Sequence, residues 1–131
     1  MKDHNNSEIL IYQSENGMTK IDVRMIDETV WLTQSQLCEL YQTSKSNISE
    51  HIKHIFEEGE LEQESVVRKF RTTGTDGKSY NVIHYNLDMI ISVGYRVNSK
   101  KATNFRIWAT KTLHQYVVNG VAVNEHRLKQ L

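Results

Sequence analysis

Thr33–Phe56, TQSQLCELYQTSKSNISEHIKHIF, is the stretch that decides how this chain is read. Thr33-Gln34-Ser35-Gln36 has the form of a capping box, in which the threonine hydroxyl and a glutamine amide satisfy backbone donors left over at a helix start. Leu37, Leu40 and Tyr41 then recur at helical spacing, so a helix is expected to about Tyr41. Gln42-Thr43-Ser44 interrupts it. Ser44 is placed to cap a second helix that carries Ile48, Ile52, Ile55 and Phe56 on one face until Gly59 stops it. Two short amphipathic helices meeting at a tight turn, each offering its apolar side to the other, read as a helix-turn-helix.

Working outward, the acidic run EEGELEQE (57–64) gives way to VVRKFRTTGTDGKSYNVIHY (66–85), two strands joined by Asp76-Gly77, a strong hairpin signal and the shape of a wing. Before the helices, the apolar run Ile9 to Tyr12, then Asn16-Gly17, then alternating Ile21, Val23 and Met25 predict a β-hairpin, followed by a short strand around Val30 to Leu32. After the wing, Asn86 caps a third helix through Leu87, Ile90, Ile91 and Tyr95. Ser99 opens a longer one to about Asn119-Gly120, with Ala102, Phe105, Ala109, Leu113, Tyr116 and Val117 along one face. The expected fold is α+β: a winged helix-turn-helix with an N-terminal β-hairpin sheet and a C-terminal helical hairpin. Residues 1–32 form the sheet of the same domain, 33–85 the winged helix-turn-helix and 86–120 the C-terminal helices. The tail 121–131 has no obvious terminator and is expected to open a further C-terminal region.

The 131 residues suit one compact domain with a genuine core. No apolar run is long enough to span a bilayer, and MKDHNNSE lacks the charged and apolar regions of a signal peptide, so a cytoplasmic location without membrane association is expected. The single cysteine, Cys38, rules out a disulfide framework and reads as a small core residue. Zero net charge conceals a division: Met1–Ser65 carries −8 and Val66–Leu131 carries +8. Such a dipolar layout suits a protein presenting one basic face to phosphates, and equally two halves docking on each other.

A recognition helix enters the major groove N-terminus first, so its early residues matter most. Ser44, Lys45 and Ser46 are suited to phosphates, Asn47 to adenine, Ser49 to either base type, and Lys53 to guanine or a phosphate further along. The bland reading is that Ser44 and its neighbours merely cap a surface helix. What favours DNA is the basic hairpin that follows, with Arg68, Lys69 and Arg71 on one strand and Lys78 beside the tip, where a wing grips the sugar-phosphate backbone. Arg96, Lys100, Lys101, Arg106 and Lys111 form a second basic set that either extends this contact or neutralises the acidic 57–64 run, the second being favoured. Helix-turn-helix proteins commonly read two half-sites, so a homodimer through the C-terminal helix is expected.

His51 and His54 stand three apart on one helix, a spacing that can share a metal, but His84 and His114 would have to converge on them, and solvated or core histidines are the expected outcome. GxSxG, P-loop and HExxH motifs are absent. No enzymatic activity, metal or cofactor is expected.

The blocks TVWLTQSQLCELYQTSKSNISEHIKHIF, VVRKFRTTGTDGKSYNVIHYNLDMIISVGYRVNS and FRIWATKTLHQYVVNGVAVNEHRL, in this order, resemble the RhuM family of bacterial virulence-associated proteins along nearly the whole chain. That family is similar to phage antirepressor N-terminal domains of the BRO and KilA-N kind, where a comparable FRxW element occurs, and some relatives are fused to death-on-curing domains. The resemblance implies a mobile-element or pathogenicity-island setting, a DNA-binding or regulatory role, and members that continue past the point corresponding to Leu131. It brings no catalytic residues, and the HxFx(D/E)GN motif of AMP transfer is missing. Phe105 and Trp108 are expected in the core, with Arg106 a candidate for a phosphate or a buried carboxylate. The function expected is a sequence-specific double-stranded DNA-binding transcriptional regulator. The alternatives are an antirepressor-type module that binds a protein partner, and a nuclease or toxin component.

Overall fold

Alternation in KIDVRMI sets the sheet: Ile21, Val23 and Met25 are buried while Lys20 and Asp22 are exposed, the period-two signature of a strand with one covered face. The computed structural model describes residues 8–130, with side chains over 8–116. In chain order the elements are β1 (Glu8–Gln13), β2 (Lys20–Ile26), β3 (Thr29–Thr33), α1 (Gln34–Tyr41), α2 (Lys45–Glu57), α3 (Gln63–Val66), β4 (Val67–Thr73), β5 (Ser79–Asn86), α4 (Leu87–Val97) and α5 (Ser99–Gln130). The expected α+β class is observed, as five antiparallel strands in the order β1-β2-β3-β5-β4 with the helices packed on one face.

The N-terminal hairpin and the later one belong to the same sheet, because β3 pairs with β5 through Trp31↔Asn86, Leu32↔Tyr85 and Thr33↔His84. On the covered face Tyr12, Ile21, Val23, Met25, Val30 and Leu32 meet Leu37, Leu40 and Tyr41 of α1, Ile48, Ile52 and Ile55 of α2, and Met89, Ile90 and Val93 of α4. Ala102, Phe105 and Ala109 of α5 close the same core, while Val117 lies outside the described side chains. On the other face a smaller cluster of Ile26, Trp31 and Phe70 is buried.

The turns depart from expectation in instructive ways. Asn16-Gly17 and Asp76-Gly77 lie within longer loops, 14–19 and 74–78, since the last pairs are Gln13↔Lys20 and Thr73↔Ser79. Each loop still needs its glycine, Gly17 at φ 73° and Gly77 at φ 82°. The tight two-residue turn is instead Asp27-Glu28 between β2 and β3, left-handed at both positions with φ 55° and 61°. Without glycine it gives no sequence signal, and it costs about 1–2 kcal/mol per residue in backbone strain. A short helix, α3, that was not expected begins at the end of the acidic run and extends beyond it. The long last helix does not stop at Asn119-Gly120 but continues to Gln130. A mid-helix glycine costs only about 1 kcal/mol, and no proline follows to end the helix.

The helical layer is seated at Gly94. A Cβ there would lie 2.3 Å from the Tyr41 hydroxyl oxygen and 2.5 Å from the Ala102 Cβ. Tyr41 cannot swing aside, because its ring is buried and its hydroxyl donates to the Ile90 carbonyl at 2.7 Å. Gly94→Ala is expected to destabilise the protein by about 1–3 kcal/mol in urea unfolding, overpacking outweighing alanine's better helix propensity. Adding Tyr41→Phe, which removes the nearest clashing atom, should restore part of that loss; strictly additive losses would refute this view of the junction.

Candidate nucleic-acid interface

Both helix starts of the central pair are built as the residues dictate. The Thr33 hydroxyl accepts from the Gln36 amide at 3.1 Å while the Gln36 side chain accepts from the Thr33 amide at 2.9 Å, closing the capping box. Gln42, left-handed at φ 54°, ends α1, and the Ser44 hydroxyl caps α2 by accepting from the Asn47 amide at 3.1 Å. Gln34, the first residue of α1, donates to the Lys45 carbonyl at 3.3 Å and to the Ser49 hydroxyl, stitching the two helix starts together.

These bonds sort the expected α2 residues. Ser44 is engaged as a cap and Ser49 by Gln34. Asn47 is half-buried and donates through Nδ2 to the Thr43 hydroxyl at 2.8 Å, so reaching a base would mean giving up that bond. Lys45, Ser46 and Lys53 are exposed. Glu50 and Glu57 share the outer side with Ser46 and Lys53, and Glu50 lies 3.4 Å from His54, so the second half of α2 sets acidic groups beside Lys53.

Strand register divides the basic hairpin in the same manner. Residues directly opposite each other share a face, which places Lys69 with Ile83 and Arg71 with Asn81 on the helix-bearing side of the sheet. Arg68, one residue out of phase, is on the other side. There it is ion-paired with Asp27 at 2.5 Å and lies over Phe70, 4.9 Å from the ring centroid. The structure therefore does not bring Arg68 together with Lys69 and Arg71. Lys78 sits exposed at the loop, its amide bonded to Asp76 at 3.0 Å. An open groove of about 570 Å³ joins the two halves, with Lys45 and Gln34 on the helix side and Asn81 and Ile83 on the strand side. Gln34 and Asn81 were missed in the sequence; Asn81 could have been found by pairing the strands across the loop and asking what stands beside Arg71.

Elsewhere, Arg96 bridges Glu58 at 2.7 Å and Glu60 at 2.9 Å, so this member of the second basic set does neutralise the acidic run. Its hydrogen bond pulls the Glu60 carboxyl below its usual range. His51 has a buried Nδ1 without a hydrogen-bond partner among the described residues, whereas His84 is buried in the sheet, edge-on to Phe70 at 4.9 Å. Among the described residues no three histidine, cysteine, aspartate or glutamate side chains gather around a common point. Nor is any described helix long and apolar enough to cross a membrane.

A family profile described as the virulence protein RhuM family matches residues 65–131. The chain belongs to the RhuM family. The match takes in the hairpin β4–β5 and helices α4 and α5; in this RhuM-family chain the helix pair α1–α2 and the first three strands lie outside it. No curated protein and no solved structure was found to match.

Burial holds the His84 pKa below its ordinary value, outweighing the bond from Nδ1 to the Val82 carbonyl at 2.9 Å. A histidine whose folded pKa is depressed binds its proton more readily when unfolded, so the stability it contributes is complete above the unfolded value of about 6.5 and falls as pH drops below it. Thermal unfolding of the wild type should therefore shift to lower temperature as pH falls from about 7 towards 5, and His84→Leu should flatten that slope. An unchanged slope in His84→Leu would assign the pH dependence elsewhere.

Proposed function

We propose that this chain binds double-stranded DNA and reads its sequence as a transcriptional regulator, with α1 and α2 acting as a helix-turn-helix and the hairpin β4–β5 as its wing. The observation that carries the reading is how the fold treats its cations. Arg68 and Arg96 are given acidic partners, whereas Lys45, Lys53, Lys69, Arg71 and Lys78 are exposed and make no ion pair among the described residues. Phosphates supply the missing counter-charge, and the release of condensed ions from DNA drives the contact. In this reading the first turn of α2 approaches the major groove with Lys45 and Ser46 on phosphates and Lys53 outward, while Lys69, Arg71 and Lys78 grip the backbone from the wing. Asn47 reads adenine after exchanging its bond to Thr43 for the base. The role is binding rather than catalysis and needs no cofactor. A regulator acting on a mobile element or pathogenicity island agrees with the virulence association in the family's name. Pairing of two copies through α5 would present two reading heads to two half-sites.

A second reading, an antirepressor-type module that binds a protein, is favoured by Ile9 and Ile11, which are 54% and 64% exposed side by side on the outer face of β1. Fluorescence anisotropy with random-sequence duplexes over a range of salt concentrations separates the two. DNA binding is expected to weaken steeply with salt, and Lys69→Ala/Arg71→Ala should lower the slope of log K against log salt by about 2 on every sequence. Arg68→Ala, on the opposite face, should leave that slope unchanged. Absence of binding at low salt from a folded sample would turn the assignment to the protein-binding module.

A further inference from the structure

Towards the C-terminal end of α1, a second recess of about 210 Å³ lies between the loop 14–19, Leu40 and the start of α5. Tyr12 forms part of its wall and is 5% exposed. The ring is held edge-on by Phe105 at 5.0 Å and Trp108 at 5.1 Å, so the two aromatic residues of the Phe105-Arg106-Ile107-Trp108 element serve to fix the tyrosine. The Tyr12 hydroxyl makes no hydrogen bond among the described residues, and it keeps contact with solvent rather than being sealed in with the ring. Burial, and then the charge of Glu15, hold its pKa above the ordinary value, so it remains a protonated donor.

Three further features of the recess bear on what it would hold. Asn98 caps α5 by accepting from the Lys101 amide at 3.2 Å, and the positive end of that helix opens here. Lys100 and Lys101 line the wall, and neither is ion-paired among the described residues. Glu15 on the same wall opposes a bare anion and calls for a ligand that also carries a hydrogen-bond donor.

We infer that this recess binds a small organic phosphate, its phosphate held by Lys100, Lys101, the α5 start and the Tyr12 hydroxyl, and a neighbouring hydroxyl donating to Glu15. The site is separate from the proposed DNA surface and does not depend on it. Isothermal titration of the full chain with ribose 5-phosphate, and in a second arm with inorganic phosphate, tests the inference. One-to-one saturation by ribose 5-phosphate, weaker saturation by inorganic phosphate, and roughly tenfold weaker binding in Tyr12→Phe are expected, a hydrogen bond to a charged group being lost. Lys100→Ala/Lys101→Ala, which leaves the aromatic clamp in place, should reduce binding further, whereas Lys69→Ala/Arg71→Ala should titrate like the wild type. The inference is overturned if neither probe saturates, if inorganic phosphate binds as tightly as ribose 5-phosphate, or if either variant at the recess binds as the wild type does.

Discussion

The pairing of β3 with β5 is the constraint on which the rest of this structure depends. Among the described residues, three pairs join the N-terminal strands to the hairpin that follows the helices, Trp31↔Asn86, Leu32↔Tyr85 and Thr33↔His84. Those pairs close a long loop of chain whose entropy must be recovered by what the closure buries. What it buries is the whole helical layer, because each strand runs directly into a helix cap: Thr33 opens α1 and Asn86 opens α4, the Asn86 side chain accepting from the Met89 amide at 3.2 Å. Once the strands are in register, the starting points of α1 and α4 are fixed, and Tyr41 and Gly94 are delivered to their contact. The helix pair α1–α2 is thereby held beside the hairpin rather than tethered to it.

This placement explains the division of charge better than composition does. The −8 and +8 halves do meet within the fold, at Arg96 with Glu58 and Glu60 and at Arg68 with Asp27. If docking of the halves were the whole account, the other basic residues of β4 would also find carboxylates. They do not: strand alternation puts Lys69 and Arg71 on the helix-bearing face, where neither makes an ion pair among the described residues. Arg68, on the far face, finds both a carboxylate and aromatic rings, and together with Arg24, 4.7 Å from the Phe70 centroid, it covers a small apolar cluster that the helices cannot reach. Exposed ion pairs of this kind contribute little, about 0–1 kcal/mol, so the covering of Trp31 and Phe70 by the arginine stems matters at least as much.

Helix starts were the most legible part of the sequence. Thr33, Ser44 and Asn86 each act as the residue types predict, because a cap is a local arrangement in which one side chain answers one or two backbone donors. Turns were legible only in kind. Asn16-Gly17 and Asp76-Gly77 do mark reversals, but side-chain bonds from Asn16 to the Met18 amide and from Asp76 to the Lys78 amide stabilise wider loops than the dipeptides suggest. The left-handed Asp27-Glu28 turn left no trace in residue type, since it is imposed by the pairing of Ile26 with Thr29 and supported from outside by Arg68.

The candidate site was legible as a set of residues and illegible as a surface, and the reason is register. A run such as Arg68-Lys69-Phe70-Arg71 states that a strand alternates, yet which cations share a face with α2 depends on which face of the sheet the helices cover. That choice is made by residues distant in the chain, chiefly Leu32 opposite Tyr85, whose shared side is the buried one. Tyr12 illustrates the same limit more sharply. In the sequence it ends an apolar run, and its ring is indeed buried; only the approach of Phe105 and Trp108 from α5 makes it part of the wall of a recess that two lysines also line. Periodicity identifies what must be hidden, whereas the polar atom left over at the edge of a hidden residue becomes a feature only after the last helix has packed.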